Sequence, residues 1–399
     1  MFFLLFVDIY YFVVACARGK SVNLHSKFIN DFMILNHLSI TNYRNLQIAN
    51  LDFSPNVNCL VGANGMGKSN VLDAIYYLSF CRGFASAQDS ANIHHASDYF
   101  ILEGDYQLES GTVQHVCCSL KQGSPKRVKV DGKAVKRISD HVGRIPMVMI
   151  APADAALILG GSEERRRFMD MVIMQYCPSY LDALIRYEKA LKQRNALLKQ
   201  EDEPDESVML VLEEMMSMSG QVIYQERKQF VAEFLPIFLE LYHRLSGDES
   251  EQVDIQYVSH GDRGDLLPQL TNWRIKERIV GYSLHGMHKD DLDLKLNGYA
   301  VKREASQGQQ KTFFIAMKLS QYVFLKNKGE QRVPLLLLDD IFDKLDAQRV
   351  RRIIDYVSSQ AFGQIFITDT RREHLDGILA ATQRDYKLFS VVNGEVNEV

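Results

Sequence analysis

The chain has 399 residues, with 46 basic against 50 acidic side chains and a net charge of −4. That length has room for two or three domains and a large core. The charge balance excludes a protein that is basic all over, so any nucleic-acid surface must be a local patch. Six cysteines, at 16, 59, 81, 117, 118 and 177, contain no C-x-x-C pair and no His-linked zinc spacing. A reduced, intracellular chain without a structural metal is the plain reading.

Residues 1–17 are rich in Phe, Leu, Val and Tyr, yet they lack a basic leader and Asp8 interrupts the apolar run. The stretch is also short for a membrane helix, which needs about 20 residues. Met33 directly precedes 34–40, whose pattern begins a first strand. Residues 1–32 are therefore expected to be an upstream extension of doubtful reality, with Met33 the natural start.

Residues 34–61 read as three strands, with Leu35, Leu38 and Ile40, then Leu46, Ile48 and Leu51, then 59–61. The turn Asn42-Tyr43-Arg44-Asn45 between the first two either sits in solvent or lies over a nucleotide base. In the second case Arg44 offers a flat cation for stacking.

Gly62-Ala63-Asn64-Gly65-Met66-Gly67-Lys68-Ser69 fits G-x-x-x-x-G-K-[ST], the Walker A pattern. Glycines let successive N–H groups turn inward around an anion, and the following helix adds its positive N-terminus. Lys68 is positioned to reach β- and γ-phosphates and the Ser69 hydroxyl to ligate Mg²⁺. An apolar strand before the loop and Val71, Leu72, Ile75 and Leu78 at helical spacing behind it supply the context the motif requires. These residues imply binding of a nucleoside triphosphate.

Residues 99–106, 112–120 and 126–135 alternate as strands, the last forming a hairpin about Asp131-Gly132. Residues 126–137 carry six basic side chains against one acid, among them Lys126, Arg127, Lys129 and Lys133. Such a row is either a solvated face or a phosphate-backbone contact. An apolar strand over 147–150 follows, and then Gly160-Gly161-Ser162 opens a helix that carries Arg165, Arg166 and Arg167.

From 165 to 284 the pattern is of long helices. Leu184, Tyr187, Leu191 and Leu198 form a heptad seam with Arg194 at a core-like position. An acidic, proline-containing break at 201–206 precedes a second helical run from Met209 to Leu241, so a short antiparallel helical arm is expected. Strand character returns at 293–296. Ahead of it, 285–291 reads as a charged loop, with a weaker alternative of a metal site. Leu335 to Leu338 then run into Asp339 and Asp340, which is Walker B chemistry. Asp339 is delivered to Mg²⁺ and Asp340 can position or activate the attacking water. A buried strand over 364–368 ends at Asp369, and 386–399 reads as a terminal edge strand.

Ser306-Gln307-Gly308-Gln309, opening a helix ahead of Walker B, resembles the signature motif of ABC-type ATPases. In that superfamily the signature of one subunit caps the γ-phosphate held by the Walker A loop of the other. Residues 342–346 then resemble the adjoining D-loop. Within the superfamily the chain resembles the RecF family of bacterial recombination-mediator ATPases, from Met33 to the C-terminus. Tyr43-Arg44-Asn45, the Walker A loop, 165–170, 193–195, 288–292, 305–310 and 338–342 carry the resemblance. Lys289 stands where that family usually has Arg, and Met287 where it has Pro. Asp369 stands where transporter ATPases carry His, which fits slow hydrolysis.

The resemblance implies an α/β fold, an ABC-type ATPase head with mixed β-sheets around a P-loop and an inserted α-helical lobe. The head would comprise 33–164 and 285–399, and lobe II 165–284. It implies ATP and Mg²⁺ as ligands, with Arg44 and Asn45 beside the Walker A loop at the nucleotide. It further implies an ATP-dependent homodimer on DNA with weak DNA-stimulated hydrolysis, RecR and RecO as partners, and gap repair, replication restart and SOS induction in the cytoplasm. It adds Arg166 and Arg167 to the basic hairpin as DNA contacts. An alternative is the nucleotide-binding subunit of an ABC transporter, against which stand the helical insertion and the missing switch His. An SMC-type head would need a far longer arm.

Overall fold

The computed structural model describes residues 33–84, 86, 88–108, 110–328, 333–341, 347–357, 362–370, 379 and 385–399. The extension 1–32 and the D-loop 342–346 lie outside these residues.

Strands β1 (Ile34–Tyr43), β2 (Leu46–Asp52), β4 (Tyr99–Gln107), β5 (Val113–Lys121), β6 (Arg127–Val130) and β7 (Lys133–Ala134) form one antiparallel sheet, in the order β2-β1-β4-β5-β6-β7. A second sheet joins β3 (Val57–Val61), β8 (Met147–Ile150), β12 (Leu335–Asp339), β13 (Ile365–Asp369), β14 (Tyr386–Val392) and β15 (Glu395–Glu398). Its order is β15-β14-β3-β13-β12-β8, parallel except for β15. The apolar runs of β8, β12 and β13 are buried at every position, as strands covered on both faces must be.

Helix α1 (Lys68–Phe80) lies between the two sheets, touching β1, β4 and β5 on one side and β8, β12 and β13 on the other. That position explains why eleven of its residues are buried rather than a single stripe. On the far side of the parallel sheet pack α6 (Gln307–Lys328) and the phenylalanines of the arm, Phe230, Phe234 and Phe238.

The arm follows α2 (Ser162–Ile173). Helices α3 (Pro178–Leu198) and α4 (Glu206–Ser246) pack together and are joined through the acidic break, where Asp205 caps α4 by accepting from the Ser207 and Val208 N–H groups. At 41 residues α4 runs about 60 Å, from the arm tip back into the head. Helix α5 (Leu266–Val280) lies along it. Helix α7 (Ala347–Val357) touches the end of α4 near the head.

Two elements depart from the sequence expectation. The helical stretch 165–284 contains a strand, β9 (Val253–Val258), which pairs with β10 (Asp291–Leu296); β11 (Tyr299–Ala300) completes this third sheet. Alternation of Val253, Ile255 and Tyr257 suits it to that partner. The terminal strand expected over 386–399 is a hairpin. β14 lies inside the sheet beside β3, and β15 takes the edge after a left-handed turn at Asn393-Gly394.

Candidate nucleotide site

The parallel sheet brings three strand ends together at its carboxyl edge, the place where open α/β sheets bind ligands. In register, Val61 of β3 lies opposite Asp369 of β13, and Thr368 lies opposite Asp339 of β12. The Walker A loop leaves β3 there, so residues far apart in sequence meet at one edge.

Within the loop, Gly65 and Gly67 take φ of 80° and 117°, a region costly for other residues. Ala63, Asn64, Gly65 and Ser69 are exposed, whereas Gly67 and Lys68 are buried. The loop curls around its own lysine: Lys68 Nζ donates to the Gly62 and Ala63 carbonyls at 2.7 and 2.9 Å. Burial lowers the Lys68 pKa, and the carboxylates of Asp340, Asp339 and Asp369 act in the opposite sense. A partly desolvated ammonium on weak carbonyl acceptors is well suited to exchange them for phosphate oxygens.

Ser69 Oγ donates to Asp339 Oδ1 at 2.8 Å, and Thr368 Oγ1 donates to the same oxygen at 2.6 Å. Asp339 is buried. This hard-oxygen pair fits Mg²⁺, which takes one or two protein ligands and fills its shell with water and phosphate. Asp340 is turned out of the strand by a left-handed backbone (φ 47°), and its N–H is held by Thr368 Oγ1 at 3.1 Å. Such a conformation in a non-glycine residue persists where the surroundings enforce it, commonly at functional sites.

Arg44 and Asn45, in the turn between β1 and β2, flank the loop. Arg44 pairs with buried Asp73 of α1 at 2.7 Å and donates to Asn92 Oδ1 at 2.9 Å. Asn45 Nδ2 donates to the Met66 and Gly65 carbonyls at 3.2 and 3.5 Å.

Ser306 and Gln309 form a capping box at the start of α6. Ser306 N donates to Gln309 Oε1 at 2.8 Å, and Gln309 N to Ser306 Oγ at 3.3 Å. Gln309 Nε2 also donates to Glu251 at 2.7 Å. Ser306 and Gln307 are exposed, and a Cβ on Gly308 would lie 2.7 Å from Arg349.

The cations singled out for DNA divide into two groups. Arg127, Lys129 and Lys133 are exposed, the first two on the outer face of β6 while Val128 and Val130 are buried beneath. Arg167 is exposed as well. Lys126 is instead tied to the Cys81 carbonyl at 2.6 Å and to Asp89 at 2.8 Å. Arg166 is half-buried on the Asp290 carbonyl at 2.7 Å, and burial lowers its pKa.

Two segments that carried the resemblance meet as a latch between α2 and the loop before β10. Arg165 pairs with Asp291, and Arg227 of α4 joins Asp170 to Asp290 at 2.8 Å each. His288 and Asp290 are engaged by Tyr187, Ser283, Tyr257 and Ser259. Among the described residues no group of three or more His, Cys, Asp or Glu is arranged for a metal ion. Among them, too, no helix is long and apolar enough to cross a membrane.

Known proteins place this arrangement. The family model described as the RecF/RecN/SMC N-terminal domain matches residues 34–396. A DNA replication and repair protein RecF from Phocaeicola vulgatus is 54% identical over 366 residues, covering 92% of this chain and 98% of that one. Its counterpart from Bacteroides fragilis is 52% identical over 367 residues, covering 92% and 99%. A solved structure of the recombination mediator protein RecF-ATPrS in the RecFOR pathway superposes with a TM-score of 0.83 at 27% identity, covering 92% and 98%. With an ABC-type head built around a Walker A loop, and relatives of this identity over nearly its whole length, the chain belongs to the RecF family of ABC/SMC-type ATPases.

Proposed function

We propose that this chain is an ATP-gated DNA clamp that acts as a recombination mediator in the repair of single-strand gaps. The observation that carries the reading is the half-site at the sheet edge. Ser69 meets Asp339, and Lys68 rests on its loop carbonyls within the field of Asp339, Asp340 and Asp369, while residues 63–65 of the loop stay open to solvent. A phosphate chain seated there would be covered on one side only. The exposed capping box at Ser306–Gln309 is the complementary part, a helix N-terminus with Ser and Gly donors suited to a γ-phosphate. Two copies related by a two-fold axis would each supply what the other lacks.

In this mechanism Lys68 leaves its loop carbonyls for the β- and γ-phosphates, and the N–H groups of 65–69 cradle them. Ser69 and Asp339 would hold Mg²⁺, whose contribution is to neutralise charge on the phosphates. Asp340 sits where it can orient water. ATP acts by binding the closed dimer better than the open monomer. Hydrolysis is weak and stimulated by DNA, and it reopens the pair.

The domain division in this reading is a head of 33–164 and 285–399 with lobe II at 165–284, the two joined by the pairing of β9 with β10 and by the Arg165–Asp291 and Arg227 contacts. DNA would run along Arg127, Lys129, Lys133 and Arg167, the exposed members of the basic set. Neutralising these four should flatten the salt dependence of DNA binding, and an unchanged slope removes them. RecR and RecO are the expected partners, as the RecFOR relative suggests, with roles in replication restart and SOS induction in the cytoplasm.

Sedimentation with a short gapped duplex tests the clamp. Wild type should dimerise on DNA only with ATP, and Lys68→Met and Ser306→Arg should both stay monomeric. ATP binding without any response to DNA would end this reading in favour of a transporter-type subunit.

A further inference from the structure

The Walker A loop is fastened from behind by the last hairpin of the chain. The β14–β15 turn, Asn393-Gly394, takes left-handed φ of 51° and 85° and lies against Met66. Gly394 N donates to the Met66 carbonyl at 2.9 Å, and Asn393 N reaches Met66 Sδ at 3.3 Å. Asn45 Nδ2 donates to that same carbonyl at 3.2 Å, while its Oδ1 accepts from Asn70 Nδ2 at 2.7 Å, in the first turn of α1.

The fit is close enough to demand glycine at two places, where a Cβ would meet main chain. A Cβ on Gly394 would lie 2.3 Å from the Asn45 carbonyl oxygen, and one on Gly62 would lie 2.3 Å from the Val391 carbonyl oxygen. A Cβ on Gly67 would lie 2.8 Å from Asn45 Oδ1. The loop is thus packed against the hairpin at its start and its middle.

The consequence is directional. The Met66–Gly67 peptide is trans, and in a planar trans unit the carbonyl and the following N–H point opposite ways. Two donors hold the Met66 carbonyl outward, so the Gly67 N–H is turned to the inside of the loop, where an anion belongs. Among the described residues that N–H donates to nothing. Without the two donors this peptide would be free to rotate, since glycine tolerates either orientation.

We propose that Asn45 and the Asn393-Gly394 turn are positioning residues that hold the Met66–Gly67 peptide in its anion-binding orientation. The C-terminal hairpin thereby sets the affinity of the loop for nucleoside di- and triphosphates. This rests on the nucleotide-binding reading of the Walker A loop, and it gives Asn45 a part that does not require contact with the base.

The test uses the full chain with Asn45→Ala, which removes one donor without inserting an atom, and Gly394→Val, which drives a side chain into the contact. Binding of ADP and ATP is followed by calorimetry, and the phosphorus resonances of bound ADP by NMR. Loss of one neutral hydrogen bond predicts about a three- to tenfold fall in affinity for both nucleotides with Asn45→Ala. Gly394→Val should lose more, and the β-phosphate resonance should move in each variant. A merely structural role would lower the melting temperature while the folded fraction bound ADP with wild-type affinity and an unmoved resonance; that result overturns the proposal. Should Gly394→Val fail to fold, Asn45→Ala decides alone. A wild type that binds neither nucleotide overturns the underlying reading and the proposal together. A wild type that binds, with both variants equal to it, overturns the proposal only.

Discussion

In the arm, Arg194 is fully buried, and its guanidinium is satisfied on all sides. It pairs with Glu213 at 2.9 Å and Glu277 at 2.6 Å, and donates to Ser283 Oγ at 2.7 Å and the Leu270 carbonyl at 3.2 Å. Arg274 closes the set on Glu213. In the head, Lys68 is also buried, but its hydrogen bonds go to two main-chain carbonyls, with the acids of Walker B beyond. One charge has been given every partner it can use, and the other has been held back from its natural partners. Full pairing marks a residue that fixes structure; incomplete pairing at an open loop marks one that awaits an anion.

The largest effect should come from breaking the satisfied set. Arg194→Leu leaves Glu277 buried without its cation, and such a loss costs about 3–5 kcal/mol. Denaturant unfolding should record that drop while ADP binding by the folded protein stays as in wild type. A loss of nucleotide affinity equal to that of a Walker A variant would erase the distinction between the two regions.

Acid should loosen the base of the arm next. His288 Nε2 faces the Ser283 carbonyl, so it must donate, which leaves Nδ1 to accept from the Tyr187 hydroxyl. The folded chain therefore wants the neutral ring. Burial is the main reason its pKa falls to about 4; Lys289, Arg166 and His260 add to the effect, and the Ser283 contact opposes it. The unfolded chain takes up this proton first, near pH 6.5. Stability from this group is complete above that pH and is lost as pH falls toward 4, by about 2–3 kcal/mol. His288→Gln should flatten that part of the stability profile, and a profile of unchanged slope would show that His288 does not set it.

Legibility in the sequence follows the range of the interactions. The Walker A loop could be read because eight consecutive residues supply the anion cradle, and Walker B because an apolar run ends in acid. Arg194 stood out at a core-like position, but Glu277 pairs with it from another helix, and no local pattern announces that. The Arg165–Asp291 contact spans 126 residues, and the Gly394–Met66 contact joins the two ends of the head. β9 was hidden among helices although Val253, Ile255 and Tyr257 alternate, because its pairing with β10 is what makes it a strand. The Asn393-Gly394 turn carries the usual hairpin signal, but the segment after it is only a few residues long, too short to announce a strand of its own. Lys126 and Arg166 looked like free cations because sequence shows charge but not the carbonyls that hold it.

Lys68→Met sharpens the other side of the comparison. It removes a charge-assisted contact worth about 1.5–3 kcal/mol to a phosphate, so ATP affinity should fall about 10- to 150-fold. Unfolding should shift little, since the ammonium is already partly desolvated on carbonyl oxygens. A large stability loss with unchanged affinity would move Lys68 into the same class as Arg194.

The smallest effect overall, and the most informative about assembly, belongs to Ser306→Ala. The Ser306 hydroxyl accepts from Gln309 N within the capping box, and its loss costs about 1 kcal/mol at one helix end. Binding of ATP to the monomer should be untouched, because the Walker A loop of the same chain supplies that site. ATP-dependent dimerisation should nevertheless weaken several-fold, because the same hydroxyl would face the γ-phosphate held by the partner copy. Sedimentation of Ser306→Ala with ATP and gapped duplex, beside a melting curve, separates the two. If the melting temperature falls slightly and dimerisation does not change, the capping box is only a helix start, and the composite site must be sought elsewhere on α6.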